Sequence, residues 1–207
     1  DDVCRMVKKG NDRAFIERAL DKRARSMVDL GAPASFALDE AMAAGAADAP
    51  VQLVAYACAR CPFCSVVVPQ LYREVTEGSL KGKVRLYFRP YPLKSHPGST
   101  EGALGLLAAA RLGRFWPFLL ELYAHHDDFS CANMVAWSKA AGMDPDAFDA
   151  GRQDPKLREA IVESKKEGLR NKVAATPTLY VNGRLYTYEL DLEVLRDVLE
   201  EESEKKR

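Results

Sequence analysis

The chain lacks an excess of either charge. Its 30 Lys and Arg balance 30 Asp and Glu, which removes the usual reason to expect nucleic acid or an anionic bilayer surface as a partner. No run approaches the ~20 apolar residues that a membrane-spanning helix needs. The start, Asp1-Asp2-Val3-Cys4, shows neither an initiating Met nor the basic-then-apolar pattern of an export leader. A processed or trimmed chain is the expectation, and location stays open on this ground. Cysteine is sparse: Cys4, Cys58, Cys61, Cys64 and Cys131 are the five in 207 residues. That is too few for a disulfide-stapled miniprotein, and a chain of this length can bury a core without staples. An odd number also leaves one thiol over unless it pairs between chains. Their spacing carries more information than their number.

Hydrophobic patterning sets out the elements. In residues 1–48, Phe15, Ile16, Ala19 and Leu20 recur at helical spacing among charged residues, which predicts an N-terminal helical extension. A break at Gly31-Ala32-Pro33 precedes a short helical stretch, Phe36 to Met42, and an Ala-rich joint runs from Ala43 to Pro50. From Val51 to Tyr56 an apolar run of strand length leads into Cys61-Pro62-Phe63-Cys64 and a helix to about Thr76, with Pro69 inside it. Val84 to Phe88 reads as a second strand. Residues 97–172 are helical throughout, and Asp144-Pro145 and Asp154-Pro155 open two of the helices as N-cap followed by first-turn proline. Strand character returns at Thr178 to Val181, and Asn182-Gly183 joins it to a run from Arg184 to Tyr188 as a tight hairpin. An amphipathic helix, Asp191 to Lys205, closes the chain. This order predicts an α/β fold in which a mixed sheet is covered on both faces. The expected division is 1–48 as extension, 49–96 and 173–207 as the sheet-bearing domain, and 97–172 as an inserted helical subdomain.

Disulfide exchange needs a thiolate that attacks and a second thiol that resolves the mixed disulfide. A C-x-x-C at a helix start supplies both, because leading N–H groups and the helix dipole favour the anion of the first cysteine. Cys61 is therefore expected as the exposed nucleophile and Cys64 as the buried resolving thiol. Pro62 and Phe63 lie between them, and Thr176-Pro177 before the returning strand suggests a cis proline loop that would present backbone to a substrate peptide. Half of a zinc knuckle is the competing reading, but a structural zinc site wants a second close ligand pair. His125-His126 are adjacent and His96 stands alone. Cys58 extends the motif to C-x-x-C-x-x-C, yet position 68 is Val where a ferredoxin-type run requires a fourth Cys. Cys58 is open to three readings: a small buried residue, a thiol that exchanges with the pair, or a metal ligand.

These segments, with Phe88-Arg89-Pro90-Tyr91-Pro92-Leu93, His96-Pro97, Phe115-Trp116 and Thr176 through Gly183, resemble the DsbA-like thioredoxin family, in its bacterial branch with an inserted helical domain. The match covers roughly residues 50–200. The resemblance implies a thioredoxin fold, exchange of disulfides with exported, cysteine-containing proteins, an extracytoplasmic location, and a membrane or soluble partner that recycles the dithiol. No cofactor, metal or nucleic acid is implied. Three features depart from the family pattern. Ala55 stands where relatives carry a buried acid, Cys58 adds a sulfur, and Pro-Phe replaces the Pro-His of the strongly oxidising archetype.

Two alternatives accompany this reading. A disulfide isomerase or reductase would oligomerise through residues 1–48, and a metal carrier would use Cys58, Cys61 and Cys64. Other residues receive bland assignments. His125-His126 cap a helix end, His96 serves local structure, and Phe115, Trp116, Phe118 and Tyr123 fill the core. The charge run from Glu200 to Arg207 is a solvated helix end. Cys4 and Cys131 could bridge the extension to the helical block.

Overall fold

The computed structural model describes residues 2–26, 28, 32–187 and 190–205. Gly31 of the expected break, Tyr188 of the expected hairpin and Lys206-Arg207 of the terminal charge run lie outside them. Among the described residues, five strands form one mixed sheet in the order β1-β3-β2-β4-β5. At its centre β2 (Val51–Ala57) runs parallel to β3 (Val84–Pro90) and antiparallel to β4 (Thr178–Val181). The edges are short: β1 (Ala43–Ala44) on β3 and β5 (Arg184–Leu185) on β4.

β2 reads as an almost unbroken apolar run because both of its faces are covered. Leu53, Ala55 and Ala57 join Leu86, Phe88, Leu179 and Val181 in the main core. Val54 and Tyr56 point the other way, against Tyr87, Tyr91, Val173 and Tyr180. Onto the first face pack α3 (Pro62–Thr76), α5 (Phe115–Ala124) and α9 (Leu192–Lys205). The second face is covered by the strap 32–39 and by α8 (Pro155–Arg170), whose Gly168 lies directly against Tyr91.

Between β3 and β4 the chain makes the helices α4 (Ser99–Arg111), α5, α6 (Cys131–Ala140), α7 (Pro145–Arg152) and α8. α4 is buried along most of its length, as a helix apolar on all sides must be. The two Asp-Pro signals are helix starts: Asp144 accepts the N–H of Ala147 at 2.8 Å, and Asp154 that of Lys156 at 2.9 Å. Asn182 and Gly183 both take positive φ, 51° and 84°, the geometry that lets a two-residue hairpin follow the strand twist. Gly183 has a second reason to lack a side chain, since a Cβ there would sit 2.8 Å from that of Pro33.

The expected short helix from Phe36 to Met42 is not formed. Only Glu40–Met42 make a single 3-10 turn, and the preceding residues run extended. Ala34, Phe36 and Leu38 alternate onto the tyrosine face, while backbone groups find partners outside the segment. Ala34 N–H donates to Gly183 O at 2.7 Å and Ala37 N–H to Glu167 Oε2 at 2.6 Å. External partners remove the need for helical hydrogen bonds. The Ala-rich joint likewise contributes β1 to the sheet, pinned by Trp116 Nε1 donating to Ala43 O at 2.7 Å.

Of the extension, α1 (Asp2–Lys8) and α2 (Arg13–Ser26) pack back on α9, with Met6, Ala19 and Val194 as their shared core. Lys9 joins them electrostatically, donating to Asp197 at 3.0 Å and also to Glu200. No helix among the described residues is long and apolar enough to cross a membrane.

Candidate active site

Cys61 is the N-cap residue of α3, extended at φ −91° and ψ 121°, with Pro62 in the first turn behind it. Proline there removes an N–H that would have had no helical partner and leaves those of Phe63 and Cys64 aimed at the cap position. The Cys61 sulfur thus lies where a Ser or Asp oxygen would cap an ordinary helix. Cys64 follows one helical turn later and is fully buried. From the other side comes the loop before β4, in which the Thr176–Pro177 peptide bond is cis. Its Thr176 carbonyl lies 3.3 Å from Cys61 Sγ and accepts a hydrogen bond from it when that thiol is protonated.

The two thiols differ sharply in acidity. A hydrogen bond from the Cys64 thiol is the main force that pulls Cys61 down to about 5; the Thr176 hydroxyl and the N–H groups of Cys64 and Phe63 assist, against the opposing effect of burial. Cys64 moves the other way, well above the thiol range, because it is buried and because its proton serves Cys61. One sulfur is an anion at neutral pH and its neighbour holds its proton.

Cys61 is not the exposed nucleophile expected from the motif: its residue exposure is 1%. The Thr176–Pro177 loop and the first turn of α3 enclose the sulfur between them. Exposure passes instead to Pro62 and above all to Phe63, at 72%, with Val66 at 56% one turn on. Clefts flank this apolar tip. One, of about 440 Å³, lies between α3 and α5 and is lined by Ser65, Pro69, Tyr72, Leu120 and Tyr123. Another, of about 310 Å³, lies behind the cis loop, lined by Pro177, Leu179, Tyr186 and Leu190. The Thr176 hydroxyl is buried with no oxygen or nitrogen partner among the described residues, which leaves it to the Cys61 sulfur.

The turn entering the site is braced by the helical block. Arg60 places its guanidinium 4.5 Å from the centre of the Phe129 ring and donates to Pro97 O at 3.4 Å and to His126 O. Tyr123 donates its hydroxyl to Cys58 O at 3.1 Å. Gly102 allows α4 to approach, since a Cβ there would lie 2.6 Å from that of Ala59. Phe115, Trp116, Phe118 and Tyr123 are all buried. Sequence reasoning missed the functional placement of Arg60, Tyr123 and His96. The ring Nδ1 of His96 lies 3.4 Å from Cys58 Sγ, a contact made only when the loop after β3 folds back. His125 ends α5 and stacks on Trp137, ring centres 5.6 Å apart. Cys4 and Cys131 are both exposed, and no disulfide joins them. Ala55 is part of the main core. Among the described residues no group of three His, Cys, Asp or Glu side chains is arranged to hold a metal ion.

Residues 38–201 match the Thioredoxin family model, starting inside the stretch that the sequence reading had set apart. The chain is 33% identical over 143 residues to the Na(+)/H(+) antiporter NhaA 1 of Mycolicibacterium gilvum, covering 68% of this chain and 23% of that protein. It therefore spans under a quarter of the length of that relative. Over 168 residues it is 26% identical to the probable disulfide bond formation protein D of Bacillus cereus, covering 75% of this chain and 76% of the relative. In structure it superposes on oxidised BdbD from Bacillus subtilis with a TM-score of 0.70 at 19% identity, over 84% of this chain and all of that one.

Proposed function

The chain belongs to the thioredoxin family, and from that premise we propose that it is a thiol–disulfide oxidoreductase whose working dithiol is Cys61 and Cys64. One observation carries the reading: a helix start, a neighbouring thiol proton and the Thr176 hydroxyl converge on the Cys61 sulfur and stabilise its anion. An anion held in this way is also a good leaving group. A disulfide between Cys61 and Cys64 is attacked at Cys61 by a substrate thiolate, and Cys64 leaves and takes up a proton. A second substrate thiolate then displaces Cys61, so that two electrons pass to the dithiol and the substrate keeps a new disulfide. Stabilising the reduced form makes the disulfide the oxidant, which favours the oxidase direction, toward DsbA-like chemistry.

Phe63, Val66 and the flanking clefts offer an apolar surface for an unfolded, cysteine-containing protein segment. The enclosed Cys61 requires the loop or the cysteine rotamer to shift as a partner sulfur arrives. Such a dithiol belongs in an oxidising compartment outside the cytoplasm, with a redox partner to recycle it. The match to the antiporter covers 23% of that protein, and no helix among the described residues is long and apolar enough to cross a membrane. For the isomerase or reductase alternative, in which residues 1–48 oligomerise, α1 and α2 share a core with α9 of the same chain and leave Val3 and Val7 of α1 exposed.

Equilibration with glutathione redox buffers, followed by oxidation of a reduced, unfolded protein, tests the proposal. A potential well above that of glutathione and stoichiometric disulfide donation are expected. A dithiol no more oxidising than glutathione removes the oxidase direction; one that never cycles removes the function.

A further inference from the structure

Cys61 is the shared member of two C-x-x-C units. The C-terminal one, with Cys64, is the first turn of α3. The N-terminal one, with Cys58, is a β-turn in which Cys61 N–H donates to Cys58 O at 3.2 Å. A β-turn holds the Cα atoms of its ends within about 7 Å, overlapping the ~4.4–6.8 Å that disulfides span. Here the turn is fixed by the Tyr123 hydroxyl on the same carbonyl, by Arg60 against Phe129, and by α4 pressed on Ala59. The backbone therefore keeps the Cα atoms of Cys58 and Cys61 at a separation that a disulfide can span.

The surroundings of Cys58 are not those of a residue kept for packing. Its sulfur accepts the N–H of Arg60 at 3.4 Å and meets His96 Nδ1 at 3.4 Å, although the residue is 1% exposed. A small apolar filler needs neither contact. An N–H donor and a ring nitrogen are what a thiol requires to give up a proton and remain as an anion. Burial keeps it protonated at rest, raising it above the ordinary thiol value.

We propose that Cys58 is a second resolving thiol, backed by His96 as its base, and that Cys61 exchanges disulfides with it as well as with Cys64. The proposal rests on Cys61 being the nucleophile. Starting from a mixed disulfide between Cys61 and a substrate sulfur, His96 Nδ1 takes the Cys58 proton. Cys58 Sγ attacks Cys61 Sγ, the Cys61–substrate bond breaks, and the substrate leaves as a thiolate that recovers the proton. Cys58 is oxidised, the substrate sulfur is reduced, and Cys61 is disulfide-bonded before and after. The product, Cys58–Cys61, leaves Cys64 as a buried thiol. The same active sulfur can then be parked in a disulfide that does not involve its usual partner.

The test replaces Cys4 and Cys131 with Ser, then adds Cys64→Ser, so that only Cys58 and Cys61 remain of the five cysteines. One equivalent of a chromogenic aryl disulfide should release one aryl thiolate as Cys61 is capped. A second release should follow as Cys58 displaces the cap, with peptide mapping locating a Cys58–Cys61 link. With Cys58→Ala added, the capped adduct should persist at least ~10-fold longer. His96→Gln should slow only the second release, by about 10-fold or more. Equal adduct lifetimes with and without Cys58 overturn the proposal while leaving Cys61 as nucleophile intact. Failure of Cys61 to be capped in the parent overturns the functional reading and this inference together. Cys58→Ser repeats the comparison with a closer substitute should the alanine variant not fold, and carries the same two outcomes.

Discussion

Tyr56 and Cys58 stand two residues apart at one end of β2, both buried, yet they anchor polar clusters of opposite character. On the strap face, the Glu167 carboxylate accepts the Tyr56 hydroxyl at 2.6 Å, Arg89 at 2.9 Å and Ala37 N–H at 2.6 Å. Every partner there is in place, and three separate segments (strap, sheet and α8) are tied by one side chain. At the sulfur cluster the account is open. Cys61 is held as an anion by a thiol proton, backbone N–H groups and the Thr176 hydroxyl, which has no oxygen or nitrogen partner among the described residues. A filled polar cluster rigidifies; one with unfilled positions is ready for a ligand or a bond change. The comparison teaches that burial and polarity alone do not mark a functional site.

The sharpest separation is in activity. Cys61→Ser should abolish disulfide exchange outright, and Cys64→Ser combined with Cys58→Ala should accumulate mixed disulfides with substrate, read on non-reducing gels. Glu167→Ala should do the reverse. Leaving Arg89 charged, buried and unpaired should cost about 3–5 kcal/mol in denaturant unfolding. The Cys61 thiolate titration in the folded protein should be unmoved. A shifted titration would show that the two clusters are coupled through β2 and would break the contrast.

Acidity gives the next test. The folded Cys61 value, about 5, lies below the ordinary thiol value of 9.0, so the anion adds stability that is complete above pH 9 and fades as the pH falls through 5. Cys64 is displaced upward, so above pH 9 the unfolded chain loses that proton first and stability declines. Relative to the disulfide form, the reduced protein should therefore gain stability as the pH rises from about 5 toward 9, by comparison of melting curves. Thiolate ultraviolet absorbance should show a midpoint near 5. A midpoint at the ordinary thiol value would remove the open cluster's defining property.

How much of this was legible depends on whether the signal was local. The helix start at Pro62, the caps at Asp144 and Asp154 and the Asn182-Gly183 turn are short-range codes, and each stands where its residues place it. Cys61, Cys64, Thr176 and Pro177 were legible as a motif pair, and the structure brings the two halves together. The enclosure of Cys61 was not, because it depends on how closely a loop 115 residues away approaches. Glu167 reads as one more charge on a charged helix, and His96 as a lone ring, until tertiary contacts supply Arg89 and Cys58. The strap was legible and misread. Ala34, Phe36 and Leu38 alternate with period two, the pattern of an extended segment, where a helix was expected. The limit of the helical insertion was harder in principle, since α8 packs on α4 and on β3 at once.

The smallest effect bears most directly on the contrast. Thr176→Val keeps the side-chain shape and removes a buried hydroxyl that has no oxygen or nitrogen partner among the described residues. An unsatisfied buried hydroxyl costs roughly 1–3 kcal/mol, so in the disulfide form, where no thiolate is present, its removal should leave stability unchanged or raise it by up to about 1 kcal/mol. That same hydroxyl is among the groups that favour the Cys61 anion, so the thiolate midpoint should rise and the disulfide should become less oxidising. A gain in stability with a loss of oxidising power would identify the vacancy as one retained for chemistry. If stability drops instead, the hydroxyl already has a structural partner, and the sulfur cluster is as complete as its neighbour.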